Sequence, residues 1–321
     1  MTRPAYFPDN FTLALAATVA VASLFPCAGT VAAAFNTITT GAIALLFFLH
    51  GAKLSREAVI AGATHWRLHL LVLASTFVMF PLLGLLMKPL ALRFITPELY
   101  LGLLFLCVLP STVQSSIALT AMAKGNVPAA VCSASASNLL GIFITPLLVG
   151  LLFAGSGASH ASLDSVLSIV LQLLLPFVAG QMARKRIGKW VDRHKSALRL
   201  VDQGSILLVV YTAFSAAVNQ GLWRQLPPAA LAGLVLVNGV LLAAALMLSR
   251  FCSRRLGFNR ADEITIVFCG SKKSLASGVP MAKVLFAGHA VGMIVLPLML
   301  FHQIQLMVCS VLAQRYARRA E

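Results

Sequence analysis

Ten apolar runs of roughly membrane-crossing length follow one another along the chain, at about 11–25, 31–49, 68–87, 99–123, 129–153, 166–182, 204–218, 229–248, 263–286 and 291–312. The ninth departs from the pattern. It opens apolar from Ile264 to Cys269, places Gly270, Ser271, Lys272, Lys273 and Ser274 near its middle, and resumes as an apolar stretch carrying Gly278 and Pro280. A charged side chain at bilayer depth costs at least ~2.5–3.5 kcal/mol, so two adjacent ones are not expected in an idle helix. Backbone that breaks at this depth is tolerated only where it is buried in protein or lines a wet cavity. The stretch therefore predicts a discontinuous transmembrane helix at a transport site. The alternative, a cytoplasmic loop holding both lysines, leaves 264–269 too short to cross and must also find water for Lys283 and His289.

Basic residues orient the runs. With both termini cytoplasmic, inward connections hold nineteen of the 25 lysines and arginines, including Lys53, Arg67, Lys124, the cluster from Arg184 to Arg199 and the group from Arg250 to Arg260. Outward connections hold Lys88, Arg93 and Arg224, while Lys272, Lys273 and Lys283 belong to the ninth run. This is the positive-inside bias of an inner-membrane (plasma-membrane) protein with ten crossings, and nine crossings would scramble it. The first run follows Arg3 and precedes the small residues Val31 to Ala34, as a cleaved signal peptide does. A retained helix is the expectation, because the ten-crossing topology needs it.

Composition agrees with a membrane solvent. Hydrophobic residues make up 59% and charged residues 11%, with a mean hydropathy of +0.90, which excludes an ordinary soluble domain. A net charge of +16 would point a soluble protein toward nucleic acid; here basic loops meet anionic lipid headgroups instead. Six cysteines show no CxxC or Cys/His ligand spacing, so they are expected as small packing residues, without disulfides or structural zinc. His65 and His69 have the i, i+4 spacing of zinc ligands, but they stand at a basic membrane boundary where interfacial anchoring is expected. No metal or cofactor is implied. Asp202, Asp262 and Glu263 are expected at helix starts, where the helix dipole favours them.

Ten crossings divide at 154–162 into two sets of five, about 1–157 and 160–321. An odd number per half makes the second half enter the membrane from the opposite side, so any repeat is inverted. The fourth run reads Pro110-Ser111-Thr112-Val113-Gln114-Ser115-Ser116 and later Met122-Ala123-Lys124. The ninth reads Ser271-Lys272-Lys273-Ser274 and later Met281-Ala282-Lys283. A matched pair of interrupted helices points to a binding site at the bilayer midplane. The expected fold is an all-α integral membrane domain of ten helices in two inverted five-helix repeats, with spans four and nine discontinuous and crossing.

At these residues the chain resembles the bile acid:sodium symporter family, and within it the SBF-like bacterial branch related to the seventh human member of the solute carrier 10 family. The matching stretches are LLFFLHGAKLSREAV (45–59), LPSTVQSSIALTAMAKGNVPAAVCSASASNLLGIFITPLL (109–148) and VFCGSKKSLASGVPMAKVLF (267–286). The resemblance implies a panel of spans one, two, six and seven beside a core of spans three to five and eight to ten. It matches Ser115 and Ser116 to the polar pair at the span-four break, where sodium-coupled members bind a cation. Other positions depart from that pattern. The acidic sodium ligand of span nine falls near Phe268 or Cys269, and the glutamine of span three is Thr76. Two span-five hydroxyl ligands fall on Ala130 and Ala134, with Ser133, Ser135, Ser137 and Asn138 close by. Lys272 and Lys273 stand where sodium-coupled members have polar amides, so the resemblance implies a transporter without the usual sodium sites.

A physical reason for that exchange is available. Crossing broken helices bring carbonyl ends together, and an ammonium supplies covalently the cation they attract. Adjacent helical residues point about 100° apart, so one lysine is expected at the crossing and the other on the substrate path. Lys272, nearer the break, is assigned to the crossing and Lys273 to the path; a purely structural counter-ion role for Lys272 is the competing view. The candidate binding set is Thr76, Gln114, Ser115, Ser116, Ser133, Ser137, Asn138, Ser271, Lys272, Lys273, Ser274 and His302. Gln303 and Gln305 are also unusually polar for span ten, as core-site contacts or as hydrogen-bond partners of a neighbouring helix. A secondary transporter for a small organic anion is the expectation. An integral-membrane enzyme acting on lipid-linked substrates is disfavoured, since no acid lies deep in a span and no HExxH or Ser-His-Asp pattern occurs. A regulatory membrane protein without transport is the third possibility, and the oligomeric state stays open.

Overall fold

A computed structural model describes residues 10–53, 65–153, 163–286 and 291–318, and all regular structure among them is helical. Besides the four-residue helices Lys88–Ala91 and Leu222–Gln225, the helices are α1 (Asn10–Leu24), α2 (Gly29–Lys53), α3 (Trp66–Leu86), α4 (Pro97–Val108), α5 (Gln114–Met122), α6 (Val127–Phe153), α7 (Leu163–Arg193), α8 (Lys195–Asn219), α9 (Pro228–Arg255), α10 (Arg260–Gly270), α11 (Leu275–Leu285) and α12 (Val291–Arg318). Of these, α2, α3, α6, α8, α9 and α12 are long and apolar enough to cross a membrane. The fourth apolar run divides into α4 and α5, and the ninth into α10 and α11, with non-helical breaks at 109–113 and 271–274. The junction at 154–162, together with Arg3, Arg56, His289 and Arg319, lies outside the described residues.

Sequence chemistry sets the ends of these helices. Pro97 opens α4 behind the Thr96 cap, whose hydroxyl accepts from the Leu99 N–H at 3.4 Å. Asn259 caps α10 by accepting from the Asp262 N–H at 2.9 Å, and Asp262 and Glu263 occupy its first turn as the dipole favours. Arg250 and Arg254 of α9 hold Glu263 at 3.2 and 2.9 Å. Asp202 corrects the expectation. It lies inside α8 and pairs with Lys53 of α2. The basic 184–199 segment is likewise not a loop, because α7 runs to Arg193 and α8 begins at Lys195. Lysine and arginine are good helix formers, so a helix can continue beyond its apolar part.

Helices α1, α2, α7 and α8 pack on one another, and the remaining helices gather about the two breaks. Gly51 and Gly180 let α2 and α7 approach closely, since a Cβ at either position would strike a backbone carbonyl of the other helix. Gly102 does the same for α4 against α12, where a Cβ would lie 2.6 Å from the Ile294 oxygen. Edge-to-face packing of Phe105 and Phe153 on Phe286, and of Phe80 on Phe301, fills the space beside the breaks.

Candidate functional site

The first break begins at a proline. Pro110 disfavours a helical conformation at Leu109, which is extended (φ −75°, ψ 153°) and ends α4. The last carbonyls of α4 are thereby left without helical partners. A second source of free carbonyls lies in α3, where Ser75–Met79 form a π-helical turn. The i→i+5 partner of the Thr76 carbonyl in such a turn would be the nitrogen of Pro81, which has no hydrogen. Lys273 supplies the missing donor. Its Nζ donates to the carbonyls of Thr76, Cys107 and Leu109, each at 2.8 Å, using all three ammonium hydrogens. It also stands 4.2 Å from the Phe80 ring centroid, in a cation–π contact.

Lys272 and Lys273 therefore exchange the roles expected of them. Lys273 occupies the crossing, while the fully buried Lys272 has no hydrogen-bond partner for its Nζ among the described residues. Lys272 lies instead within electrostatic reach of Cys269 and Cys309. The reversal follows from unwinding. Between α10 and α11 the backbone leaves helical geometry, so sequence proximity to the break no longer determines where a side chain points. Gln305 of α12 fixes the orientation by accepting from the Lys273 N–H and donating to the Lys273 carbonyl, both at 3.0 Å. His302 Nδ1 shares a 2.9 Å hydrogen bond with Gln305 Nε2.

The two breaks touch directly. The Ser274 N–H donates to the Pro110 carbonyl at 2.9 Å. In return, Ser111 Oγ donates to the Cys269 carbonyl at 2.6 Å and Ser116 Oγ to the Phe268 carbonyl at 3.2 Å. Ser137 of α6 accepts from the Ser111 N–H at 3.0 Å. Breaks of this kind, buried by surrounding helices, are a recurring construction of transporters.

Residues 9–318 match the family model described as the SBF-like CPA transporter family. The chain belongs to that family. It is 68% identical over 321 residues to "Uncharacterized protein PA2026" of Pseudomonas aeruginosa, covering all of this chain and 96% of that protein. It is 60% identical over 316 residues to "Putative symporter YfeH" of Escherichia coli K12, covering 98% and 94%. It is also 33% identical over 285 residues to "Sodium/bile acid cotransporter 7" of Danio rerio, covering 86% and 83%. The apolar helices and the family together describe a multi-pass membrane transporter protein.

In this SBF-like family member, Ser116, Ser137, Ser271, Lys273 and Ser274 come together at the breaks, with Asn138 beside them. Ser271 Oγ bonds back to the Val267 carbonyl at 2.6 Å, and Ser274 caps α11 by accepting from the Ser277 N–H at 3.2 Å. Asn138 finds its partner in Ser277, whose hydroxyl donates to Oδ1 at 2.7 Å. Ser115 shares a 2.8 Å hydrogen bond with Thr112. Thr76 contributes its carbonyl rather than its side chain, which bonds back to Val72 O at 2.8 Å. Ser133 is taken by His69 Nδ1 at 2.6 Å, so His69 joins α3 to α6. Gln114 stays exposed at the start of α5, outside the buried cluster. Ser111, Ser277 and Gln305 belong to the cluster although the candidate set omitted them; polarity at bilayer depth was the sequence signal for Gln305.

Proposed function

We propose that the chain is a secondary transporter that moves a small organic anion across the inner (plasma) membrane by alternating access, without sodium at the helix crossing. One observation carries this reading: Lys273 donates to three converging backbone carbonyls at the breaks. The partial negative charge gathered there already has a covalent counter-charge, which leaves no need for a bound metal cation. The adjacent Lys272, fully buried and without a hydrogen-bond partner for its Nζ among the described residues, makes the interior basic, which favours an anionic substrate. In this proposal the chain crosses ten times with cytoplasmic termini, α4–α5 and α10–α11 being crossings four and nine. Residues 1–157 and 160–321 are inverted halves. Helices α1, α2, α7 and α8 are the panel against which the remaining core moves, and basic loops rest on anionic headgroups. Support comes from the charge split and from breaks at the same ordinal crossing in each half.

Purified protein in proteoliposomes, offered labelled organic anions with an inward sodium gradient or with choline in its place, tests the proposal. Equal uptake is expected under both conditions. Uptake that needs sodium overturns the coupling assignment, and no uptake of any anion overturns transport itself. The topology has a separate check. Lys189→Cys should react with impermeant thiol reagents from the cytoplasmic face only.

A further inference from the structure

Away from the crossing, Lys283 near the end of α11 reaches a different pair of helices. Its Nζ donates to Asn36 Oδ1 of α2 at 2.7 Å and to Thr212 Oγ1 of α8 at 3.2 Å. Both acceptors are neutral, so these contacts hold the ammonium without cancelling its charge. Asn36 and Thr212 also line an open cavity of about 300 Å³, together with Cys27, Gly29, Asn219 and Gln220. Among the described residues no carboxylate is in that lining, and the Cys27 sulfur is within electrostatic reach of Lys283. Gly29 and Ala32 bring the positive end of the α2 dipole to the same wall. The volume lies at the small end of the range for ligand pockets. An ammonium held just behind the wall, neutral amides lining it and no acid among the described lining residues suit a small carboxylate or sulfonate.

We propose that this cavity is a second anion site, a vestibule beside the α1–α2–α7–α8 bundle whose Asn36 and Thr212 wall is backed by Lys283, the charge of which attracts the anionic group. Its place on a transport route rests on the proposed function; its ability to bind an anion does not. Cys27, which is partly exposed, offers a built-in reporter. Purified protein is reacted with 2-sulfonatoethyl and with 2-trimethylammonioethyl methanethiosulfonate, and modification of Cys27 is followed by peptide mass spectrometry. Relative to a free thiol, the anionic reagent should be favoured about tenfold, as one fixed charge a few ångströms away produces in near-aqueous surroundings. Lys283→Met should abolish that preference and Lys283→Arg should keep it. Hexanoate should slow Cys27 modification in the native chain, whereas chloride at equal ionic strength should not. No charge preference, a preference that survives Lys283→Met, or equal effects of hexanoate and chloride each overturns the site. If the preference and protection hold while proteoliposomes take up no anion, the site stands and the transport proposal falls. If uptake is sodium-independent while preference and protection are both absent, transport stands and the site falls.

Discussion

The break at 109–113 and the break at 271–274 interrupt apolar runs of similar length, yet they contribute different groups to the contact between them. The first carries no charge. It offers the hydroxyl of Ser111, joined by Ser116 in the first turn of α5, and these donate to the carbonyls of Cys269 and Phe268 near the end of α10. The second offers an ammonium, which Lys273 delivers to Cys107 and Leu109 near the end of α4. Each break thus satisfies the orphan carbonyls of the other. The α4 side needs the stronger donor because a third carbonyl, Thr76, joins it where Pro81 removes a helical partner. Hydroxyls suffice for carbonyls taken singly, whereas three that converge call for a charge-assisted donor.

Replacing the ammonium should break this exchange most severely. Lys273→Met leaves three buried carbonyls without a donor and should cost about 3–5 kcal/mol, read as a large fall in thermal unfolding temperature in detergent. An unchanged unfolding temperature would mean that the three contacts contribute nothing. Next in size is Gln305→Leu, which removes both bonds that orient Lys273 and should cost about 2–4 kcal/mol, by the same measurement. Ser111→Ala deletes one hydroxyl from the uncharged break and should cost about 1–2 kcal/mol. If Ser111→Ala cost as much as Lys273→Met, the distinction between the two breaks would be lost.

The smallest effects sharpen the contrast between neighbouring lysines. Lys272→Met removes a buried group whose Nζ has no hydrogen bond to lose among the described residues and should change stability by less than about 1 kcal/mol, or raise it. A loss as large as that of Lys273→Met would restore the opposite assignment. Sodium is expected to do least of all. Unfolding temperatures in sodium and choline salts should coincide, and a sodium-specific rise would reveal a cation site that Lys273 has not replaced.

Helix ends and interruptions are legible in the sequence because they depend on neighbours in the chain. Pro110 before a serine-rich stretch, Gly270 ahead of two lysines, and Asp262 with Glu263 at a helix start act within one or two turns. The basic segment at 184–199 is harder to read, since charge stops a helix from lying in lipid without stopping it from being a helix. Asp202 moves with it, from an expected helix start to a partner of Lys53 on another helix.

The sequence by itself determined that two apolar runs break, that polar residues and lysines stand at the breaks, and that Asp262 and Glu263 begin a helix. These follow from local backbone chemistry and the cost of charge in lipid. Only the tertiary structure decided which lysine serves the crossing, that Gln305 orients it, that Gln114 stays outside, and that Lys283 reaches across to α2 and α8. In an unwound segment the direction of a side chain no longer follows helical periodicity. It is set by acceptors from distant parts of the chain, such as a carbonyl freed by Pro81 nearly two hundred positions before Lys273.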